Sequence, residues 1–311
     1  MSSRHLVDPE LLPLLDAFPA VTVTAESLAE LRGRELPFPP ADDCGVDWSE
    51  VLVVRADGPP VGLRIYRPRE AAGPLPCIFH IHGGGFIGGS VAEVEFLHRP
   101  LARELNCAIA TVEYRLAPET AFPGNLEDCY AALDWTFANA KAQGIDGSRI
   151  GVMGESAGGG LAAALALLAR DRGKYRLAFQ NLIYPMLDDR TCTKEPHSFA
   201  GEFIWHRANN HFGWSSLLGA APGGSGVSCY AAPARASDLS GLPPTFIATG
   251  ALDLFLDEDV EYARRLIDSG VPTELHVWPG AFHGFDLAPG PWVADAARAS
   301  SHAALQRFMR A

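Results

Sequence analysis

No segment of this chain is hydrophobic for long enough to cross a membrane. The longest apolar run, residues 161–169, is far shorter than the roughly 20 helical residues that span a bilayer. The N-terminus also has no apolar stretch of the signal-peptide type. We therefore expect no stable membrane association and a cytoplasmic location.

Positive charge is scarce. The chain has 25 Lys and Arg against 37 Asp and Glu, a formal net charge of −12. Such a chain repels phosphate backbones, so no nucleic-acid partner is expected. The composition, 48% hydrophobic and 20% charged, is that of a folded globular protein. The negative charge itself indicates solubility and does not identify a substrate.

The cysteines are few and carry no recognisable chemistry. The six of them contain no C-x-x-C pair and no spacing typical of a zinc site. Cys77 and Cys107 fall inside apolar runs, where a free cysteine behaves as a small hydrophobic residue. We expect neither a metal ion nor an organic cofactor.

Strand-like and helix-like segments alternate through most of the chain. Residues 51–55 and 61–66 flank a turn at 57–60 and are typical of two antiparallel strands. Apolar runs predict further strands at 77–81, 107–112, 149–153, 177–184, 245–249 and 274–278, and helices near 94–105, 126–142, 157–170, 257–269 and 293–309. This alternation indicates an α/β fold with a mostly parallel central sheet flanked by helices.

Two segments do not follow this alternation, and we expect them to form a helical cap. In the first, leucines recur at helical spacing until Pro37, Pro39 and Pro40 interrupt the chain. The second is rich in aromatic side chains and then in glycine. The predicted organisation is N-terminal cap helices at 1–45, an α/β core at 46–187 and 231–311, and a cap insertion at 188–230.

A serine stands between two glycines where a predicted strand ends, in Gly154-Glu155-Ser156-Ala157-Gly158. The glycines permit a sharp, strained turn from strand to helix that would expose the serine above the sheet. Ser156 is therefore the candidate nucleophile, and it needs a neighbouring base. The alternative is a tight turn in which the serine only caps the following helix.

A second glycine-rich motif, His82-Gly83-Gly84-Gly85, follows the predicted strand at 77–81. Successive glycines leave main-chain N–H groups unobstructed, as an oxyanion hole requires. Gly84, Gly85 and Ala157 are the candidate donors. The alternatives are a flexible loop or a phosphate-binding loop, although no G-K-[S/T] follows to support a Walker-type loop.

The candidate acid and base come later, in the chain order Ser, Asp, His. Asp253 follows the predicted strand at 245–249, and His283 follows the strand at 274–278. Parallel strands bring such residues to one edge of the sheet. Asp257 and Asp259 are rivals to Asp253, but they lie in a predicted first helical turn, where acidic side chains are common.

These motifs resemble those of the hormone-sensitive-lipase-like esterases, family IV of the bacterial α/β-hydrolases. The matching segments are residues 82–86, 113–119, 154–159, 253–258 and 283–285. The resemblance covers roughly residues 75–311, and the N-terminal helices fit the family's cap. The chain departs from the family at Glu155, where Asp or Thr is more common, and at Leu254, where proline is common.

The resemblance implies a serine carboxylesterase that hydrolyses short- to medium-chain acyl esters. It would use a Ser-Asp-His triad of Ser156, Asp253 and His283, an acyl-enzyme and a backbone oxyanion hole. A small-molecule ester would be its substrate, and a homodimer fits the family's behaviour. The resemblance also gives the segment 114–119 a structural role, and we expect a buried salt bridge at Arg115 or Glu119.

Three aromatic residues, Phe86, Phe203 and Trp205, are the candidate lining of the substrate pocket. Their alternative role is to pack the cap onto the core. Two other functions stay open: a narrower hydrolase of lactones, amides or acetylated small molecules, and a non-catalytic binding module on the same fold. The second usually loses a member of the triad, whereas all three are present here.

Overall fold

The computed structural model describes residues 2–18, 21–34, 42–287 and 289–310, and its central element is one sheet. Within these residues the sheet has eight strands: β1 (Val46–Val53), β2 (Val61–Pro68), β3 (Leu75–Ile81), β4 (Ala108–Glu113), β5 (Ile145–Glu155), β6 (Gln180–Ile183), β7 (Thr245–Gly250) and β8 (Thr273–Trp278). Their spatial order is β1-β2-β4-β3-β5-β6-β7-β8.

The sheet is mostly parallel. Strand β2 pairs antiparallel with β1 and β4, and every pairing from β4 to β8 is parallel. Every residue of β3, β6 and β7 is buried, as expected for interior strands covered on both faces, although β6 begins with the polar pair Gln180 and Asn181. The predicted fold class is confirmed.

Helices cover both faces of this sheet. They are α1 (Leu12–Ala17), α2 (Leu28–Arg32), α3 (Glu95–Leu105), α4 (Gly124–Asn139), α5 (Ala157–Arg172), α6 (Arg207–Leu218), α7 (Leu256–Asp268) and α8 (Trp292–Arg310). The strand predicted at 177–184 is shorter at both ends, since β6 begins at Gln180 and ends before Tyr184, whose φ of +35° leaves the extended conformation. No helix in the described ranges combines the length and apolarity that a membrane span requires.

The two predicted cap segments touch each other. The N-terminal one contributes α1 and α2, and the second contributes a 3₁₀ turn at Asp189–Cys192 and helix α6. Asn209 of α6 accepts a hydrogen bond from Val23 N and donates one to Val21 O, each 2.8 Å long. The predicted break at Pro37, Pro39 and Pro40 lies outside the described residues.

Helix α5 packs unusually close to the sheet, and this positions the site. Its residues from Ala157 to Ala169 are all buried. A Cβ added at Gly158 would lie 2.0 Å from Ile81 O, at the end of β3. Only glycine permits this approach, which brings the start of α5 against the loop that follows β3.

Candidate active site

Ser156 lies at the turn between β5 and α5, with a backbone φ of +55°. A left-handed φ in a non-glycine residue costs about 1–3 kcal/mol and persists only where the surroundings hold it. Here Ser156 N donates to Ile183 O at 2.9 Å, and Ser156 O accepts from Met186 N at 2.9 Å. The turn is as sharp as its flanking glycines predict.

His283 lies between Ser156 and Asp253. Its Nε2 is 2.9 Å from Ser156 Oγ, and its Nδ1 is 2.8 Å from Asp253 Oδ2. A carboxylate only accepts, so Nδ1 carries the proton and Nε2 is free to accept from the serine hydroxyl. The structure thus brings together three side chains that are up to 127 residues apart in the chain.

Two aromatic side chains pack against the imidazole of His283. The ring of Phe255 meets it edge-on at a centroid distance of 5.2 Å, and the ring of Tyr184 meets it at 4.7 Å. Phe255 N also donates to Asp253 Oδ1 at 2.9 Å. Tyr184 OH donates to Asp286 Oδ1 at 2.6 Å, which ties down the loop that carries His283.

The His82–Gly85 loop lies beside Ser156. A Cβ added at Gly83 would be 3.4 Å from Ser156 Cβ, so the loop and the serine are in direct contact. Gly84 and Gly85 have φ of +108° and +61°, which glycine adopts readily. Within the described residues, the N–H groups of Gly84, Gly85 and Ala157 donate no hydrogen bond and are therefore available to a ligand.

His82 itself acts as a structural support of this loop. Its Nδ1 lies 2.8 Å from Gly83 O, and its ring stacks on Tyr114 at 4.3 Å. Tyr114 OH donates to His82 O at 3.0 Å. Burial lowers the pKa of His82 to about 4, so the ring is neutral near pH 7 and donates through Nδ1.

The acidic rivals of Asp253 lie elsewhere. Asp257 is exposed at the start of α7, whereas Asp259 is fully buried one position beyond Glu258. Neither forms a hydrogen bond with His283 in the described structure. Burial raises the pKa of Asp259 well above its usual range and that of Glu258 to about 8, so both carboxyls favour the protonated form.

Glu155, which departs from the family pattern, points to a buried histidine. Its Oε2 is 2.9 Å from His80 Nε2, and His80 Nδ1 is 3.1 Å from Thr111 Oγ1. This chain of contacts connects β5, β3 and β4 directly beneath the serine turn. Glu155 thus supports the serine turn through His80, a role that no motif in the sequence indicates.

The three candidate pocket residues occupy different positions. Phe86 is 1% exposed and packs edge-on against Trp214, so it belongs to the core beneath the loop. Phe203 packs against Phe282, the residue before His283. Trp205 covers the loop itself, since a Cβ added at Gly85 would lie 2.2 Å from its ring. Of the three, Trp205 is the one that lies directly against Gly85.

The expected buried salt bridge is only partly correct. Arg115 pairs with Asp128, whose carboxyl is completely buried. Glu119 instead pairs with Arg32, and its side chain is 62% exposed because it faces the N-terminal segment rather than the core. Arg32, Tyr184 and Phe255 were not identified from the sequence, because no motif marks side chains that act through another segment.

Across the described ranges, no group of His, Cys, Asp and Glu side chains is arranged to hold a metal ion. The polar groups that the structure brings together around Ser156 include an imidazole, a carboxylate and main-chain N–H groups. This set can attack a carbonyl, move a proton and bind an oxyanion.

A family model described as the alpha/beta hydrolase fold matches residues 78–287, which include Ser156, Asp253 and His283. The chain belongs to this family. It falls in the hormone-sensitive-lipase-like branch that the motifs predict. The family match and the sheet topology independently identify the same fold.

Named relatives and a solved structure agree with this assignment. Carboxylesterase NlhH of Mycobacterium tuberculosis is 34% identical over 291 residues, covering 91% of this chain and 90% of the relative. Esterase LipI of the same organism is 32% identical over 306 residues, covering 91% and 88%. The structure titled "Bacterial Heroin Esterase" is 42% identical, covers 100% of both chains and superposes with a TM-score of 0.90.

These similarities identify the chain as a carboxylic ester hydrolase on the α/β-hydrolase fold. Small-molecule esters are the substrates of such enzymes.

Proposed function

We propose that this enzyme hydrolyses short- to medium-chain acyl esters through a triad of Ser156, His283 and Asp253. The observation that carries the proposal is the position of His283, 2.9 Å from Ser156 Oγ and 2.8 Å from Asp253 Oδ2. Both distances are within hydrogen-bond reach, as proton transfer requires. The serine, base and orienting carboxylate follow the arrangement of other serine hydrolases.

In the proposed mechanism, Ser156 Oγ attacks the ester carbonyl carbon while His283 Nε2 takes its proton. The N–H groups of Gly84, Gly85 and Ala157 stabilise the resulting oxyanion. His283 then returns the proton to the leaving alcohol as the C–O bond breaks. Water next attacks the acyl-enzyme, with His283 again as base, and releases the acid and free Ser156.

We also propose that residues 1–45 and 188–230 form a cap over this site. The hydrogen bonds of Asn209 to Val21 and Val23 support a joint structure, and Trp205 extends from the second segment to Gly85. The ring occupies space directly beside the proposed oxyanion hole. We expect a wall at this position to limit the length of the acyl chain, and the ester panel described below tests this expectation. A homodimer and a cytoplasmic location stay predictions.

The decisive experiment is p-nitrophenyl butyrate hydrolysis by Ser156→Ala. Loss of the nucleophile is expected to lower kcat by at least about a thousandfold, because only binding and oxyanion stabilisation remain. Ser148→Ala, an exposed serine on the same strand, is the matched control and should retain full activity. Near-wild-type turnover by Ser156→Ala would refute the mechanism.

The substrate class is tested by a panel of p-nitrophenyl esters from acetate to decanoate, with an anilide and a lactone. We expect the highest kcat/KM between acetate and octanoate. A kcat/KM that is highest for the anilide or the lactone would favour the narrower hydrolase. A fluorophosphonate probe should label wild-type Ser156, and absence of labelling would favour the binding module.

A further inference from the structure

One arginine connects the N-terminal segment to the loop that carries the proposed oxyanion donors. Arg32 is the last residue of α2, and its Nε donates to Ile87 O at 2.8 Å. Its Nη2 donates to Ala117 O at 2.8 Å. Nη1 and Nη2 each reach one carboxylate oxygen of Glu119, also at 2.8 Å. All three nitrogens of the guanidinium are thus engaged.

Ile87 closes the turn that contains two of the proposed oxyanion donors, Gly84 and Gly85. Its N–H donates to Gly84 O at 3.0 Å, while its carbonyl accepts from Arg32. The neighbouring carbonyl of Phe86 accepts from Ala117 N at 2.9 Å, and Ala117 O is the second carbonyl bound by Arg32. Arg32 therefore links the two backbone segments that determine the shape of the turn.

The helix that carries Arg32 is itself anchored on both sides. Leu28 and Val23 are buried in one apolar cluster with Ile87 and Ala117. Val23 also binds Asn209 of α6 through its backbone N–H. Residues 21–32 therefore connect the second cap segment with the turn at Gly84. Val21 and Val23 contact the cap segment at one end, and Arg32 contacts the turn at the other.

The contacts of Arg32 go beyond its ion pair with Glu119, because an ion pair at the surface does not need hydrogen bonds to main-chain carbonyls. Exposed ion pairs contribute little to stability, and Glu119 is 62% exposed. The contacts that distinguish Arg32 are the two with main-chain carbonyls, which a Lys could not reproduce because it lacks the planar fork. The hydrogen bond from Arg32 lowers the pKa of Glu119 to about 2, so the pair stays ionised across the working pH range.

We propose that Arg32 is a positioning residue, which holds the turn at Gly84–Ile87 in the geometry that oxyanion binding requires and so makes catalysis depend on seating of the N-terminal segment. This inference rests on the proposed function, because it assigns the turn its role as oxyanion hole. Misplaced donors affect the transition state more than the bound ester, so kcat should change and KM should not.

The test compares Arg32→Ala with Arg4→Ala, whose arginine pairs with Asp16 at an exposed position of the same N-terminal segment. Arg32→Ala is expected to lower kcat for p-nitrophenyl butyrate by about 10- to 100-fold, with KM within about twofold. An alkyl trifluoromethyl ketone, whose serine adduct carries an oxyanion, should bind weaker by a similar factor. Millimolar guanidinium chloride should restore part of kcat. Arg4→Ala should match wild type.

Glu119→Gln is the second variant, since it removes the ion pair and leaves both carbonyl contacts of Arg32. We expect its kcat to stay closer to wild type than that of Arg32→Ala. The inference is overturned if Arg32→Ala keeps kcat and ketone affinity within twofold. It is also overturned if its Tm falls and guanidinium restores nothing, because Arg32 would then be merely structural.

Failure of this inference is separable from failure of the proposed function. If Ser156→Ala is inactive while Arg32→Ala behaves as wild type, only the role of Arg32 is wrong. If Ser156→Ala retains turnover, the proposed mechanism itself fails, whatever Arg32→Ala does.

Discussion

Four acidic side chains occur within residues 253–259, yet only one of them touches His283. Asp253 is fully buried and binds His283 Nδ1, whereas Asp259 is equally buried and does not. Burial alone therefore does not identify the orienting carboxylate. What distinguishes Asp253 is its place in the loop after β7, which faces the loop after β8.

Replacing aspartate by asparagine at position 253 and, separately, at position 259 tests which carboxyl orients His283. Asp253→Asn should lower kcat by about 10³- to 10⁴-fold, because the amide no longer holds the required imidazole tautomer. Asp259→Asn should stay within about twofold, since burial already keeps that carboxyl protonated and Asn has a similar shape. Steady-state kinetics with p-nitrophenyl butyrate compare the two. Equal losses, or a larger loss at 259, would contradict the assignment.

The sequence singles out the site residues that carry a motif and misses those that support them. Ser156, Asp253 and His283 can be chosen from strand ends and chain order, and the structure places them within hydrogen-bond distance. No motif indicates a role for Glu155, because its partner His80 lies 75 positions away on another strand. Such contacts depend on strand register, which a single sequence does not reveal.

Among the secondary-structure elements, the contact between α5 and the end of β3 determines where the serine turn can lie. Helix α5 is built of glycine, alanine and leucine along its buried length, and its first turn reaches the β3 backbone at Ile81. At Gly158, a side chain larger than hydrogen would push the helix outward. Ser156 and the His82–Gly85 loop would then separate.

Gly158→Ala should therefore destabilise the protein by more than about 3 kcal/mol, because the new methyl group would overlap Ile81 O and a packed core yields little. Gly224→Ala is the matched control: no atom lies within 4 Å of its added Cβ, and the expected change is within about 0.5 kcal/mol. Urea unfolding followed by circular dichroism measures both. Equal midpoints would show that α5 can shift without cost.

The order of elements was predictable because interior parallel strands are mostly apolar and buried along their whole length, as β3 and β7 are. Their ends were less predictable, since β6 stops where Tyr184 adopts a positive φ that its residue type does not indicate. The N-terminal helices are short, and the leucine spacing that indicates a helix where α2 lies does not show what the last side chain of that helix contacts. The hydrogen bond from Arg32 to Ile87 could therefore not be predicted from the sequence.

Across the whole molecule, buried ionisable groups of both kinds couple folding to pH. Burial lowers the pKa of His82 to about 4 and that of His98 well below its usual value. Between pH 4 and 6.5 the unfolded chain then binds more protons at these histidines, so they make stability rise with pH. Glu258, with a pKa of about 8, and Asp259 act in the opposite direction from about pH 4.5 upward.

The two effects have opposite signs between about pH 4.5 and 6.5. Above pH 6.5 the unfolded histidines lose their remaining protons, so their contribution fades by about pH 7.5 while that of the two acids continues. The folded chain then holds protons that the unfolded chain has lost, so stability should decline from pH 6.5 to 8. Carboxylates whose pKa is lowered, such as those of Glu119 and Asp146, titrate below this window and leave it unchanged.

Glu258→Gln isolates the acidic contribution, because Gln has the shape of the protonated acid and can keep the bonds from Leu187 N and Asp188 N. Relative to wild type, its free energy of unfolding should increase between pH 6 and pH 8 by on the order of 2 kcal/mol. Glu261→Gln, an exposed site on the same helix, should show no such increase. Denaturant unfolding at pH 6, 7 and 8 measures the three proteins. Parallel profiles for Glu258→Gln and wild type would mean that Glu258 is already ionised in the folded enzyme at pH 6.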